Sequence, residues 1–318
     1  MKNANDRQNC MRFVSAPGGS STFMGTGECT DTEVFIPDTY NDTAVKKIAP
    51  RAFYKRTNIT SVRLPDTLEV IGQCAFEGCK SIKSIRIPKS VTHMMYEAFV
   101  DCEDLATVEI DDLKAWCDIY FENEDANPLH NGAALCLDEK PITHLVIPAE
   151  LESTGYASLC GCSSITRVTV PGSVKIISAY TFSECESLKS AELSEGIEWI
   201  RAYAFRSCGS LTDIILPQSL RKIDECAFYY CTSLGEITIP DGVCALPDLA
   251  FHSCSSLHTV TLGKGITRIG GLAFAECTSL KRIVFKGSVA EWNAVQKYDE
   301  WDKGTPDYTV YCVDGVIK

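Results

Sequence analysis

The chain has 318 residues, 45% of them hydrophobic and 23% charged, with 17 cysteines and a formal net charge of −12. That apolar fraction excludes intrinsic disorder over most of the length, the acidic balance argues against nucleic-acid binding, which needs a basic face to displace counterions, and the length excludes a small disulfide scaffold. No run approaches the roughly 18 consecutive apolar residues of a membrane-spanning helix.

Met1 to Gln8 is polar and no apolar leader run follows, so the sequence as written shows no signal peptide. Residues 1–33 are expected to form a partly ordered N-terminal cap. From Val34 the chain becomes periodic. Phe53, Phe76 and Phe99 are spaced by 23 residues, as are Cys79 and Cys102, and Leu64, Ile87 and Ile110 keep the same step. Residues 34–110 therefore form a first repeat block.

The phase then breaks, because Ile110 and Ile147 are 37 residues apart, one 23-residue period plus 14. The insert, 111–143, opens with Asp111-Asp112-Leu113-Lys114-Ala115-Trp116-Cys117, a short helix with Trp116 turned inward. Its acidic run from Asp118 to Asp125 lacks the spacing of a calcium loop and is expected to be a solvated loop. Ala134–Leu137 and Ile142–Ile147 then bracket a turn and restart the array. In the second block, 144–287, Phe182, Phe205, Phe228, Phe251 and Phe274 share one register, and Cys162, Cys185, Cys208, Cys231, Cys254 and Cys277 share another. Its first repeat has Thr154 and Leu159 where Ile and Phe are usual, which predicts weaker local packing. Residues 288–318 close the chain. Ser288 and Glu291 form a capping box, and Trp292 and Val295 share a face able to cover the end of the core.

The repeat starting at Leu211 shows the physics. Leu211, Ile214 and Leu216 point inward from a short strand, and Pro217 removes a donor and ends it. Leu220 and Ile223 form a second inward segment, and Ala227, Phe228 and Cys231 fill a tight helical or 3₁₀ turn. One such unit buries too little to offset the ordering of its own backbone, so stability requires stacked neighbours. The cysteine column then reads as a small apolar core filler. Side chains on adjacent coils keep their Cβ atoms about 4.7–4.9 Å apart, wider than a disulfide prefers, so free buried thiols are expected. Cys160-Gly161-Cys162 lacks a second ligand pair at zinc spacing, and no metal or cofactor is expected.

The columns combine into a motif, I-P-x-x-V-x-x-I-G-x-x-A-F-x-x-C-x-S-L, of which Val62–Ile82 (VRLPDTLEVIGQCAFEGCKSI) and Val260–Leu280 (VTLGKGITRIGGLAFAECTSL) are close copies. This motif resembles the BspA-like leucine-rich repeat proteins over essentially the whole chain. The resemblance implies an α/β solenoid: a right-handed leucine-rich-repeat superhelix of about ten 23-residue repeats, with short parallel strands, short helical turns and helical caps. It also implies a surface or secreted protein linked to adhesion. A cytoplasmic interaction scaffold is the alternative, because no leader is visible.

Function in a solenoid lies on its outward columns. The strand face is basic at Arg63 and Arg86 and acidic at Glu192, Asp213 and Glu236, an order a partner can read. Aromatics gather on the turn side at Tyr180, Trp199, Tyr203, Tyr229 and Tyr230, residue types favoured at interfaces. These are the candidate binding residues, and the expected ligand is a protein or glycan. No catalytic residue is expected: His93, His130, His144, His252 and His258 share no nucleophile motif, and a cysteine nucleophile conflicts with burial, which makes a thiol inert.

Overall fold

The computed structural model describes residues 11–16, 19–27 and 30–318. The chain divides into two compact units, Met1–Ile142 and Thr143–Lys318. Each is a solenoid of stacked parallel-strand coils. No helix among the described residues is long and apolar enough to cross a membrane.

In the first unit the strands Ser84–Ile87, Thr107–Ile110 and Ala134–Leu137 form one parallel ladder. The shorter strands Val70–Ile71, His93–Met94 and Tyr120–Phe121 form a second. In the second unit His144–Val146, Arg167–Val170, Ser190–Leu193 and Asp213–Ile215 are consecutive rungs of one sheet, and Glu236–Ile239, Thr259–Leu262, Arg282–Phe285 and Thr309–Cys312 of another. Register pairs each residue with its counterpart one period on, as in Arg167↔Ser190 and Thr259↔Arg282. The alternating pleat then sends one set of side chains inward and the other outward in every coil.

The core is a set of such columns. Phe53, Phe76 and Phe99 stack at 4.8 and 4.9 Å, and Phe182, Phe205, Phe228, Phe251 and Phe274 at 5.1–5.4 Å, all fully or almost fully buried. Leu211, Ile214, Leu216, Leu220 and Ile223 are buried as the pattern required.

The turn carrying the phenylalanine differs from expectation, being neither α- nor 3₁₀-helical. Its N–H groups alternate in direction. Those of Ala52, Tyr54 and Arg56 donate three residues back, while those of Arg51, Phe53 and Lys55 donate to Gln73, Ala75 and Glu77 on the next coil at 2.7–2.9 Å. A left-handed residue brackets the turn at each end: Arg51, Cys74 and Glu97 in one column, Lys55, Gly78 and Asp101 in the other, and Tyr180, Tyr203 and Glu184, Ser207 in the second unit. Non-glycine residues adopt this geometry at about 1–2 kcal/mol each. The coil-to-coil hydrogen bonds, worth about 0.5–1.5 kcal/mol apiece, offset that cost.

The cysteine column also does more than fill space. Cys79 Sγ donates to the Phe53 carbonyl at 3.0 Å, and Cys102, Cys185, Cys208, Cys231, Cys254 and Cys277 each donate to the carbonyl 26 residues back at 3.0–3.2 Å. In most coils that carbonyl already accepts the N–H three residues on, as Phe182 does from Cys185, so the thiol occupies its second lone pair. All fifteen cysteines among the described residues are free. Cys10 and Cys29 lie outside them.

Two further expectations change. The site of Thr154 is not loosely packed: its buried hydroxyl meets Thr181 Oγ1 at 2.7 Å and accepts the Ser178 N–H at 2.9 Å, while Ser158 donates to the Thr154 carbonyl. A satisfied polar network replaces the apolar contact. The acidic run is not a free solvated loop either. Glu122 accepts the Tyr96 N–H at 2.8 Å, and Asn123 accepts that of Glu97, so side chains continue the coil-to-coil bonding.

Each unit ends in the same kind of module. A short helix, Leu113–Cys117 or Val289–Ala294, follows the ladder strand. A parallel strand displaced by a longer step comes next, Thr107↔Ala134 or Arg282↔Thr309. An antiparallel strand, Lys140–Pro141 or Gly315–Ile317, ends the ladder. Asp112 caps the first helix, and Ser288 with Glu291 forms a complete capping box on the second. Trp116 packs on Phe121 at 5.5 Å, and Trp292 on Phe285 at the same distance.

Removing one ring from the column tests this packing. Phe205→Ala is expected to lower the unfolding free energy by about 3–5 kcal/mol through lost transfer and a cavity between two stacked rings, read from urea denaturation. The thiols predict an alkaline transition. Burial pushes Cys79, Cys231 and Cys277 up to about 12, and Cys185, Cys208 and Cys254 well above the ordinary 9.0. An unfolded chain loses these protons near 9.0 while the folded one keeps them. Stability is therefore full below pH 9 and falls as pH rises toward 12. A pH titration followed by circular dichroism checks this, and Cys231→Val should flatten the slope by about one proton.

Candidate functional site

The outward columns of each unit hold the candidate residues. In the first unit the Arg63 guanidinium lies over the Phe35 ring at 4.9 Å. Arg86 is held from both sides, by Asp66 at 2.7 Å and by a bidentate pair with Asp111 at 2.7 and 2.8 Å. The Arg86 hydrogen bond holds the Asp66 carboxyl below its usual range. The charge at Arg86 is therefore locally balanced. In the second unit Glu192 pairs with Arg167 at 3.1 Å, Asp213 accepts from Thr212 at 3.1 Å, and Glu236 lies 3.8 Å from His258. Glu192 and Asp213 line a shallow depression of about 400 Å³ with Arg167, Ser190 and Ile215. Ile215 is 81% exposed there, an outward apolar side chain flanked by charge.

The turn-side aromatics form three groups. Tyr180 and Tyr203 stack at 4.8 Å because both occupy the same left-handed position on adjacent coils. Tyr229 and Tyr230 meet at 4.6 Å and gather His252, 5.1 Å from Tyr229. Arg201 and Lys222 both lie over the Trp199 ring, 4.2 and 4.0 Å from its centroid, and both cations bind Asp224. Hydrogen bonding with Cys226 pushes the Tyr203 hydroxyl up to about 12, and burial lowers His252 below the ordinary imidazole value. The surface offered at neutral pH is thus of neutral rings.

A 23-residue register of strand, frequent proline, left-handed turn and phenylalanine–cysteine core, recurring through most coils, is the signature that decides the family. The chain belongs to the BspA-type leucine-rich repeat family. The family's sequence profile matches six copies, over residues 22–126, 134–241 and 198–295. No curated protein matches significantly. Among solved structures, the pneumococcal vaccine antigen PcpA shares the fold at 19% identity, over 89% of this chain and 88% of that one, with a TM-score of 0.51. A leucine-rich cell surface protein of Faecalibacterium prausnitzii aligns at 23% identity over 91% and 96% of the two chains, TM-score 0.45. A leucine-rich repeat protein of Bacteroides ovatus aligns at 20% over 94% and 98%, TM-score 0.33.

In this BspA-type chain the repeat pattern left one constellation unnoticed. Ser256, His258, Thr259, Ser279, Lys281, Arg282 and Tyr311 line a depression of about 660 Å³. Adjacent basic residues at 281 and 282 were its visible signal. Tyr311 carried none, because the last coil advances by a step longer than the period. A third cluster, Cys74 with Glu77 and Glu97, brings its ligand-type atoms within 4.8 Å. Burial pushes that thiol up to about 11, and it donates to Glu97 at 3.8 Å, so at neutral pH it is a hydrogen-bond donor, not a thiolate ligand.

Because the tyrosine rings are only partly covered, Tyr203→Ala and Tyr230→Ala should each shift the unfolding free energy by about 1 kcal/mol or less. Urea denaturation beside the parent chain reads this and qualifies both variants as binding probes.

Proposed function

We propose that the chain is a non-enzymatic interaction module that binds a protein or glycan partner along its outward columns, as a surface or secreted protein engaged in adhesion. The observation that carries this reading is the pair of tyrosine groups, Tyr180–Tyr203 and Tyr229–Tyr230 with His252, set out on consecutive coils by backbone hydrogen bonds. Tyrosine supplies large contact area with few rotatable bonds, so little entropy is lost on binding. Trp199, with Arg201 and Lys222 over its ring, adds a further half-buried aromatic group. Arg63, Arg86, Glu192, Asp213 and Glu236 then supply orientation more than affinity, since exposed ion pairs contribute little. In this reading about ten right-handed repeats make up blocks 34–110 and 144–287, flanked by an N-terminal cap at 1–33, with the segments 111–143 and 288–318 capping them through their helices.

One observation favours a second reading, a cytoplasmic interaction scaffold. Every cysteine among the described residues is a free thiol, and unpaired thiols suit a reducing compartment.

Surface plasmon resonance against a panel of extracellular matrix proteins and glycans tests the proposal. Binding at or below micromolar concentration, weakened at least tenfold by Tyr203→Ala with Tyr230→Ala, is the expected result. Absence of binding across the panel, or binding indifferent to both substitutions, would overturn it.

A further inference from the structure

We propose that the depression between the strand starts at Ser256–Thr259 and Ser279–Arg282 is a binding site for an acidic saccharide, a sugar bearing a sulfate ester or a carboxylate. Charge is the first argument. The chain carries a net −12, and several outward cations are neutralised by a carboxylate: Lys46, Lys80, Arg86, Arg167, Arg201, Arg206 and Lys222 are ion-paired. Lys281 and Arg282 have no such partner among the described residues, although they are neighbours in sequence and line the same concavity. Two adjacent like charges left uncompensated on an acidic protein form a local positive field that favours an anion.

Geometry is the second argument. Ser256 and Ser279, His258 and Lys281, Thr259 and Arg282 are three equivalent positions on two adjacent coils, with Thr259 paired to Arg282 in the ladder. The backbone fixes them: the N–H groups of Lys281 and Arg282 both donate to the His258 carbonyl at 3.1 Å, and that of Thr309 donates to Lys281 at 3.0 Å. Donors are thus spaced by one coil, about 4.8 Å, a separation that one oxyanion can bridge.

Preorganisation is the third argument. The Arg282 guanidinium lies over the Tyr311 ring, 4.4 Å from its centroid. That contact restrains the side chain, and a guanidinium so held can offer two parallel hydrogen bonds to a sulfate or carboxylate. The His258 ring lies over Gly235, where an added Cβ would come within 3.3 Å of Nε2, and its other nitrogen bonds Thr259 Oγ1 at 3.1 Å. The volume of about 660 Å³ exceeds that of a lone oxyanion several-fold. The hydroxyls of Ser256, Thr259 and Ser279 supply the paired donor and acceptor groups that sugar hydroxyls use. An oxyanion explains the two cations, and a polyhydroxylated body explains the hydroxyls and the room.

The site lies apart from the tyrosine groups, and its test stands apart from theirs. Isothermal titration of the intact chain uses four probes: a sulfated disaccharide, an unsulfated uronate disaccharide, a neutral disaccharide and inorganic sulfate. Either acidic disaccharide is expected to bind at least tenfold more tightly than the neutral one and than sulfate, with affinity falling as salt rises. Arg282→Ala should weaken it by roughly tenfold or more, the cost of a charged hydrogen bond. Lys281→Gln, at an exposed position, should weaken it less without touching the core, and keeps the test sound should Arg282→Ala fold poorly. Equal binding of the neutral disaccharide, equal binding of inorganic sulfate alone, or unchanged affinity in Lys281→Gln and a folded Arg282→Ala would each overturn the assignment. Loss of saccharide binding with matrix-protein binding intact would separate this site from the tyrosine surface.

Discussion

A hydrogen bond from one coil to the next, repeated at the same place in every coil, constrains everything else in these two units. Along the strands it is the ordinary parallel ladder. Around the phenylalanine turn it is less usual, because alternate N–H groups have to be aimed along the stack, as at Arg51, Phe53 and Lys55. Once each backbone position is tied to its counterpart about 4.8 Å away, every inward side chain must pack on the one at the same position in the next coil. Flat rings can do so, and the Phe182–Phe274 column does at 5.1–5.4 Å with planes at or below 20°. The left-handed residues at the turn ends are the conformational cost of aiming those N–H groups, and they recur because the aim recurs.

The same constraint explains why cysteine holds its column. The position is fully enclosed, which excludes a charged or long side chain. The carbonyl it faces already has one donor, and a carbonyl accepts two. Alanine would leave space and a lone pair unused. Serine would offer a donor but at a higher desolvation cost. A thiol is small, tolerates burial and donates weakly. Burial in turn keeps the proton on sulfur, as the raised values at Cys79, Cys231 and Cys277 indicate. Chemical inertness and structural use thus follow from one environment, so a high cysteine count carries no redox meaning by itself.

The columns were legible in the sequence because a period of 23 puts every core position in phase with its copies, and Leu211, Ile214, Leu216 and Phe228 needed no structure to be placed. The turn was not legible. Most of its left-handed positions hold residues such as Arg51, Glu97, Tyr180 and Ser207, and few, such as Gly78 and Gly161, are the glycine by which such geometry announces itself. The thiol-to-carbonyl bond was hidden because a residue type shows burial but not which lone pair it meets. Thr154 misled for a related reason: a threonine in an apolar column looks like a defect until its partners, Thr181 and Ser178, appear from the next coil. Of the candidate binding residues, the sequence indicated Tyr180, Tyr203, Tyr229 and Tyr230 as aromatics gathered on the turn side. It missed Tyr311, because the coil that carries it is longer than the rest and drops out of phase.

Outward columns are under no comparable obligation. Their side chains need not stack on copies, so each coil is free to differ, and differences there carry more information than identities in the core. Some of the variation resolves into local neutralisation, with Arg86 gripped by Asp66 and Asp111 and Arg167 by Glu192. Such pairs satisfy themselves and ask nothing of a partner. Other residues keep chemistry that is incomplete within the chain, among them rings stacked but left partly open at Tyr203 and Tyr230, and adjacent cations without carboxylates at Lys281 and Arg282. In a fold whose core columns pack so regularly on one another, incompleteness at the surface is the physical mark by which a binding position is told apart from a solvated one.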